Sequence, residues 1–378
     1  MSELRPMRLI FAGGGTGGHL FPAIAIANRI RDLLEGRFQT EILFVGTKRG
    51  IEYRRRDSIG YPLQLINMRG LVRSLSWKNL LLPFVIVGAL MKASSLLGRF
   101  RPMAVVGTGG YVAWPVLNRA AARGIPTFLQ EQNSFPGIVT RRCAEAAAKV
   151  YLGFEGARSF LPGSADTVVT GNPVRTEIGQ GDRKAALDKF GLDQNKTTIL
   201  VLGGSQGAHA VNQAVLKSLD NGSLTSKYQL LWQTGKRDYK DVAAKAGDRV
   251  TGRSLFPFAE SMSEVYAAAD LAVARAGALT LAELIECRVP SILVPYPFAA
   301  GDHQRKNGQE MVDLGMAEMI DEKNLETRDL LAEAITLHQS DRFANMRDAL
   351  KRYTENRRPA VDVIAEDIVR TITQGADN

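Results

Sequence analysis

Met7-Arg8-Leu9-Ile10-Phe11-Ala12-Gly13-Gly14-Gly15-Thr16-Gly17-Gly18-His19-Leu20 decides the fold. A short apolar run, long enough for a buried strand, enters a loop of five glycines and then a helix. Glycines let backbone N–H groups approach a phosphate closely, and the helix start adds a favourable dipole. Gly13-x-Gly15-x-x-Gly18 fits the dinucleotide fingerprint, which also wants an acid at the end of the second strand. That strand ends Phe44-Val45-Gly46-Thr47-Lys48, with no acid. A Walker loop would need Gly-Lys-Ser/Thr where this chain has Gly18-His19-Leu20. Neither NAD nor ATP is the expected ligand.

Outward from this loop, apolar strand patterns recur at Glu41–Val45, Met103–Val106, Pro126–Leu129, Val168–Thr170, Thr197–Leu202, Gln229–Gln233, Leu271–Ala274 and Ser291–Val294. Helical stretches lie between most of them, so the spacing predicts βαβ units and parallel sheets. A second glycine loop, Gly107-Thr108-Gly109-Gly110-Tyr111, and a third, Gly203-Gly204-Ser205-Gln206-Gly207-Ala208, also follow strands. The pattern resets at Gly171-Asn172-Pro173-Val174-Arg175, which is turn-rich and has no hydrophobic period. The expected fold is α/β with two Rossmann-like domains, 1–172 and 173–358. A C-terminal helix, 359–378, could pack on either and is assigned to the N-terminal one.

The 378 residues carry a net charge of +9. Residues 1–172 hold 22 Lys and Arg against 10 Asp and Glu; the rest of the chain holds 26 against 29. The N-terminal half therefore suits an anionic partner: nucleic acid, an anionic bilayer or a phosphorylated lipid. No basic motif with interleaved aromatics supports nucleic acid. The apolar run Leu80–Met91 contains Pro83 and reads as too short to span a bilayer. It is flanked by Arg69, Arg73, Lys78, Lys92, Arg99 and Arg101, with Trp77 at one edge. Leu71–Arg101 reads either as an anionic-membrane contact or as a buried helix with solvated basic ends. No secretory signal is seen in Met1–Phe11, and Cys143 and Cys287 form no framework, which points to the cytoplasm.

Gly203-Gly204-Ser205-Gln206-Gly207 contains Gly-x-Ser-x-Gly, the hydrolase elbow, for which Asp302 and His303 are the available partners. That reading leaves the two earlier loops unexplained, whereas diphosphate binding at a helix start covers all three. Of the four histidines, His19 is best placed to meet a ligand; His338 reads as a surface helix residue and His209 as an early helix residue. Glu283 follows the turn Arg275-Ala276-Gly277 by about one helical turn, where an acid can accept both hydroxyls of a ribose or simply face water. No His, Asp or Glu group has metal-ligand spacing, and no metal or cofactor is expected.

Gly14-Gly15-Thr16-Gly17-Gly18-His19-Leu20-Phe21-Pro22-Ala23 resembles the opening signature of the MurG family, the UDP-N-acetylglucosamine transferases of peptidoglycan synthesis. The resemblance continues through the second loop, Gln130-Glu131-Gln132-Asn133, Thr170–Arg175, the third loop, Arg275–Glu283 and Asp302-His303-Gln304. It implies a GT-B fold, two Rossmann-like domains facing a central cleft, at the cytoplasmic face of the membrane. It implies inverting transfer of GlcNAc from UDP-GlcNAc to the muramyl 4-hydroxyl of lipid I, giving lipid II. The N-terminal domain would take the lipid acceptor and the C-terminal domain the donor. Thr16, Gly17 and Gly18 would touch donor sugar or acceptor diphosphate, with Gly14, Gly15, Gly109 and Gly110 at the acceptor diphosphate. Asn133 would contact GlcNAc. Arg175 and Ser205 would hold the UDP phosphates, with Gln206 beside them and Leu279 and Thr280 adding contacts. Glu283 would hold the ribose, Gln304 the sugar hydroxyls, and backbone near Phe258 and Ala259 the uracil. Some members carry a bulkier aliphatic residue at Ala259, and another Gln where this chain reads Arg305-Lys306-Asn307. His19 is the first choice of base and Glu131 the reserve. The competing readings are a diacylglycerol glycolipid synthase and a non-catalytic lipid-binding protein on the same fold.

Overall fold

The computed structural model describes residues 6–70, 81–204 and 207–374. Ser205, Gln206, Leu71, Arg73, Trp77, Lys78 and Leu80 lie outside the described residues. The chain forms two compact units, residues 1–175 with 359–378, and residues 176–358.

The first unit holds a seven-stranded sheet of β1 (Pro6–Gly13), β2 (Gln39–Gly46), β3 (Leu63–Leu65), β4 (Ala104–Gly109), β5 (Thr127–Glu131), β6 (Lys149–Leu152) and β7 (Thr167–Val169). Their order is β3-β2-β1-β4-β5-β6-β7, and every pairing is parallel. The second unit holds β8 (Thr197–Leu202), β9 (Tyr228–Gln233), β10 (Leu255–Phe256), β11 (Leu271–Ala274), β12 (Ser291–Leu293) and β13 (Ala317–Met319), ordered β10-β9-β8-β11-β12-β13 and again parallel. Both orders reverse direction at one place, between β1 and β4 and between β8 and β11. In open parallel sheets that switch point is where ligands bind.

Four strands, β3, β6, β10 and β13, escape the sequence pattern. Three of them are two or three residues long, too short to show a period, and β6 follows an alanine-rich stretch that reads as helix. The first unit also keeps Pro173–Arg175, which the sequence reading assigned to the second domain. Asn172 is the reason. Its amide accepts from Gln130 Nε2 at 2.9 Å and donates to the Gln132 carbonyl at 2.9 Å, so the segment stays tied to β5.

The last helix, Ala360–Gln374, belongs to the first unit. Ile364, Ala365, Ile368 and Ile372 complete a core with Leu20, Ala23, Ile26 and Ile30 of the Gly17–Leu34 helix. Tyr151 on β6 donates to Asp367 at 2.8 Å, and Arg29 pairs with Asp362 at 2.6 Å.

The Leu82–Phe100 helix extends the segment beyond its apolar run. The helix runs past the apolar stretch to 19 residues and is long and apolar enough to cross a membrane by length and composition. It is nevertheless a surface helix of the first unit. Ala89, Ala93, Leu96 and Leu97 pack on the core, while Phe84, Val87 and Met91 form an exposed stripe on another face.

Candidate active site

The first two glycine loops leave the C-terminal ends of β1 and β4, so the switch point brings them together. Gly14 N–H donates to the Gly109 carbonyl at 3.4 Å. Gly110 has φ of +81°, and a Cβ there would land 2.4 Å from the Gly14 oxygen, so only glycine permits this approach. Thr108 donates its hydroxyl to the His19 carbonyl at 2.8 Å and pins the helix start to β4. The helix beginning at Gly17 has no side-chain cap and no acid in its first turn. The His19 N–H donates to the Thr16 carbonyl at 3.3 Å. Among the described residues nothing takes the Gly17 and Gly18 N–H groups, so these and the positive dipole end can meet an anion.

His19 sits in this junction. Its Nδ1 lies 2.9 Å from the Gly14 carbonyl and 3.5 Å from Thr16 Oγ1. A carbonyl only accepts, so Nδ1 carries a proton, and in the neutral imidazole the lone pair is on Nε2. A Cβ at Gly109 would meet the imidazole, 2.7 Å from Cδ2 and 2.9 Å from Nε2.

Glu131 is not placed as a base. Its side chain is buried, and its carboxylate accepts from Asn133 N–H at 3.1 Å, Gly137 N–H at 3.0 Å and the Thr140 hydroxyl at 2.6 Å. With both oxygens engaged, it shapes the loop that carries Asn133. Gln132 Nε2, donating to the Thr108 carbonyl at 2.8 Å, ties that loop to β4. The Arg175 guanidinium lies 5.8 Å over the Phe21 ring and Arg55 lies 5.9 Å from the same ring, which puts two cations beside the first glycine loop.

In the second unit the helices His209–Asp220 and Ala278–Glu286 start at the ends of β8 and β11, again uncapped and without an acid in the first turn. Leu279 and Thr280 occupy that first turn. Glu283 is half-buried on the same helix and accepts from the Tyr266 hydroxyl at 2.9 Å. Gln233, buried at the end of β9, accepts from Ala259 N–H at 2.9 Å and donates to the Gly204 carbonyl at 3.3 Å. Any contact between a base and Ala259 therefore falls to the carbonyl. Gln304 accepts from Tyr296 N–H at 2.9 Å. Arg305 pairs with Asp321 at 2.7 Å and with Asp302 at 3.4 Å.

The hydrolase alternative loses its partners here. His303 Nδ1 is committed to the Ala300 carbonyl at 2.8 Å, and Asp302 faces Arg305. His338 corrects its surface reading. It is partly buried, its Nδ1 is 3.1 Å from the Tyr228 hydroxyl, and burial lowers its pKa. His209 starts its helix, 3.1 Å from Asp238. Burial pushes the Cys143 thiol up to about 11 and the Cys287 thiol up to about 12, so both are poor nucleophiles.

Sequence reasoning missed Glu52 and Arg275. Glu52 is fully buried six residues beyond β2, where a ribose-binding acid would not lie. Its sequence signal is the pair Gly46 and Gly50, each of which would drive a Cβ into its side chain. Arg275 is buried after β11, donates to the carbonyls of Val294 (3.1 Å) and Pro295 (3.2 Å) and pairs with Glu322. It braces the loop that leads to Gln304.

Two parallel-sheet units with glycine loops and bare helix starts at both switch points suit a phosphate-bearing ligand such as a nucleotide sugar, and nucleotide-sugar glycosyltransferases are one class built on this plan. The model for the glycosyltransferase family 28 N-terminal domain matches residues 9–152, and that for the family 28 C-terminal domain matches residues 198–363. The chain belongs to the family of UDP-N-acetylglucosamine–N-acetylmuramyl-(pentapeptide) pyrophosphoryl-undecaprenol N-acetylglucosamine transferases. The protein of that name from Chlorobaculum tepidum is 41% identical over 368 residues, covering 96% of this chain and 99% of the relative. That of Chlorobaculum parvum is 44% identical over 323 residues, 84% of this chain and 87% of the relative. Among solved structures, MurG of Acinetobacter baumannii superposes with a TM-score of 0.73 at 25% identity, covering 97% of this chain and 99% of that one. A UDP-N-acetylglucosamine 2-epimerase shares the fold alone, with a TM-score of 0.60 at 13% identity over 91% of both chains.

Proposed function

We infer that this protein transfers N-acetylglucosamine from UDP-N-acetylglucosamine to the muramyl 4-hydroxyl of the undecaprenyl-diphosphate-linked MurNAc-peptide, lipid I to lipid II, in peptidoglycan synthesis. The observation that carries this is the near full-length match to transferases of that name, 99% of the relative in one case. The fold could not carry it, because an epimerase shares the fold.

The reaction is a single inverting displacement. As the acceptor O4 attacks C1 of the sugar, His19 Nε2 takes the hydroxyl proton. The C1–O bond to UDP breaks and UDP leaves from the opposite face. Gly14, Gly15, Gly109 and Gly110, with the helix start at Thr16–Gly18, cradle the acceptor diphosphate. Leu279 and Thr280 face the donor diphosphate at their own helix start; for Ser205, Gln206 and Arg175 the phosphate-holding role rests on the family resemblance. Glu283 accepts the ribose hydroxyls and Ala259 meets the uracil; for Asn133 and for Gln304 the sugar contact rests on the family resemblance. Bare helix ends stabilise charge developing on a leaving diphosphate.

The acceptor is a lipid, and the exposed stripe of the Leu82–Phe100 helix supports a peripheral seat on the cytoplasmic face of the membrane. Phe84 is 76% and Met91 68% exposed, with Lys92, Arg99 and Arg101 close by in sequence to meet anionic headgroups.

The test is a transfer assay with labelled UDP-N-acetylglucosamine and a lipid I analogue, with and without EDTA. The expected product is a lipid-linked disaccharide, formed equally in both. Transfer to diacylglycerol, with none to the lipid I analogue, would replace this reading with a glycolipid synthase.

A further inference from the structure

The peptide unit between Gly14 and Gly15 is held at both ends. Its C=O accepts the His19 Nδ1 proton at 2.9 Å. Its N–H donates to Glu52 Oε2 at 2.8 Å. Glu52 Oε1 accepts from Thr47 N–H at 2.8 Å and from the Thr47 hydroxyl at 3.3 Å. The carboxylate is fully buried, and a Cβ on Gly14, Gly46 or Gly50 would fall within 2.4 Å of a Glu52 side-chain atom. Three glycines therefore make room for one acid beneath the first loop.

We propose that Glu52 is a positioning residue for catalysis, orienting His19 through the Gly14–Gly15 peptide. A carboxylate accepting from the N–H polarises the same peptide's carbonyl and strengthens the hydrogen bond on its other side. That bond fixes the Nδ1–H tautomer and leaves the Nε2 lone pair to the acceptor hydroxyl. The arrangement does the work of an acid that hydrogen-bonds a catalytic imidazole directly, with one peptide group interposed. Gly15 has φ of +90°, a conformation that relaxes easily unless its N–H is held. Glu52 touches no reacting atom and acts only through His19. The proposal thus rests on His19 as the base.

The experiment compares Glu52→Gln, His19→Ala and the double variant in the transfer assay, with selective ¹⁵N labelling of the histidine imidazoles. A glutamine amide cannot accept from both Gly15 and Thr47 without turning a donor towards one of them. Glu52→Gln is expected to lower kcat by roughly 10–100-fold, as loss of an imidazole-orienting partner does, with KM for UDP-N-acetylglucosamine within about twofold of wild type. The His19 resonances, assigned by their loss in His19→Ala, are expected to move from the Nδ1–H tautomer towards a mixture at alkaline pH. On the His19→Ala background, Glu52→Gln should cost nothing further. Glu52→Asp keeps a carboxylate and should recover part of both kcat and tautomer, and it decides the matter if the glutamine variant does not fold. An unchanged tautomer with full activity, or an undiminished cost on the His19→Ala background, overturns the relay and leaves His19 as base. Near wild-type turnover in His19→Ala overturns the base reading itself.

Discussion

At the scale of single residues, burial separates groups that hold the loops from groups left open to a ligand. Glu131 and Glu283 are both acids beside glycine-bearing turns, and the sequence does not rank them. Burial does: Glu131 accepts from loop N–H groups on both oxygens, whereas Glu283 is half-buried and accepts from the Tyr266 hydroxyl. Glu283→Ala is expected to weaken UDP binding by at least about tenfold by calorimetry, since hydrogen bonds to charged groups are worth about 1.5–3 kcal/mol each. An unchanged affinity would remove Glu283 from the ribose.

At the scale of elements, helix starts divide by what covers them. The helices at the switch points begin bare, while the Leu330–His338 helix is capped by its own acid. Asp329 accepts from Ala332 N–H at 3.0 Å, Asn221 at 2.9 Å and Ser223 at 2.6 Å. Burial pushes its carboxyl up, but these donors together outweigh that and bring it down to about 2. A carboxyl lowered by folding stabilises above its unfolded value of about 3.9 and loses that contribution as pH falls towards its folded value. Asp329→Ala should therefore cost about 1 kcal/mol at pH 7, with the gap to wild type closing between about pH 4 and pH 2 in urea melts. A constant gap would mean that the cap is not what stabilises. The Leu82–Phe100 helix shows a bare face of another kind. Replacing Phe84 and Met91 by Ser should weaken partition onto anionic vesicles by about a hundredfold or more, each lost side chain being worth roughly 1.5–3 kcal/mol of apolar burial. Transfer to a water-soluble acceptor should not change. Undiminished vesicle binding would place the membrane contact elsewhere.

At the scale of the whole molecule, the chain returns to its first unit after completing the second. The closing helix is covalently remote from the core it finishes, because the pairs Arg29–Asp362 and Tyr151–Asp367 join residues more than two hundred positions apart. Ile368 is fully buried in that core. Ile368→Ala should destabilise the first unit by about 2–5 kcal/mol, read as an earlier urea transition in that unit. UDP binding, assigned mainly to the second unit, should persist under conditions where that unit stays folded. A melt superimposable on wild type would show that the helix is dispensable.

The sequence by itself determined the α/β class, the paired domains and the three glycine loops, because strand periodicity and glycine at close backbone approaches are local properties. Local composition also exposed the apolar run with its basic rim. Only the tertiary structure decided what each polar group does. The fate of Glu52, Glu131, Arg275 and His338 depends on burial and on donors brought from elsewhere in the chain. Glu52 lies 37 residues from the Gly15 N–H it accepts, and Arg275 lies 20 residues from the Pro295 carbonyl it holds. A hydrogen bond across such a separation exists only once strand order has placed both partners at the same end of a sheet. The sequence names the chemical groups, and the order β3-β2-β1-β4 aims the acid after β2 at the loop after β1.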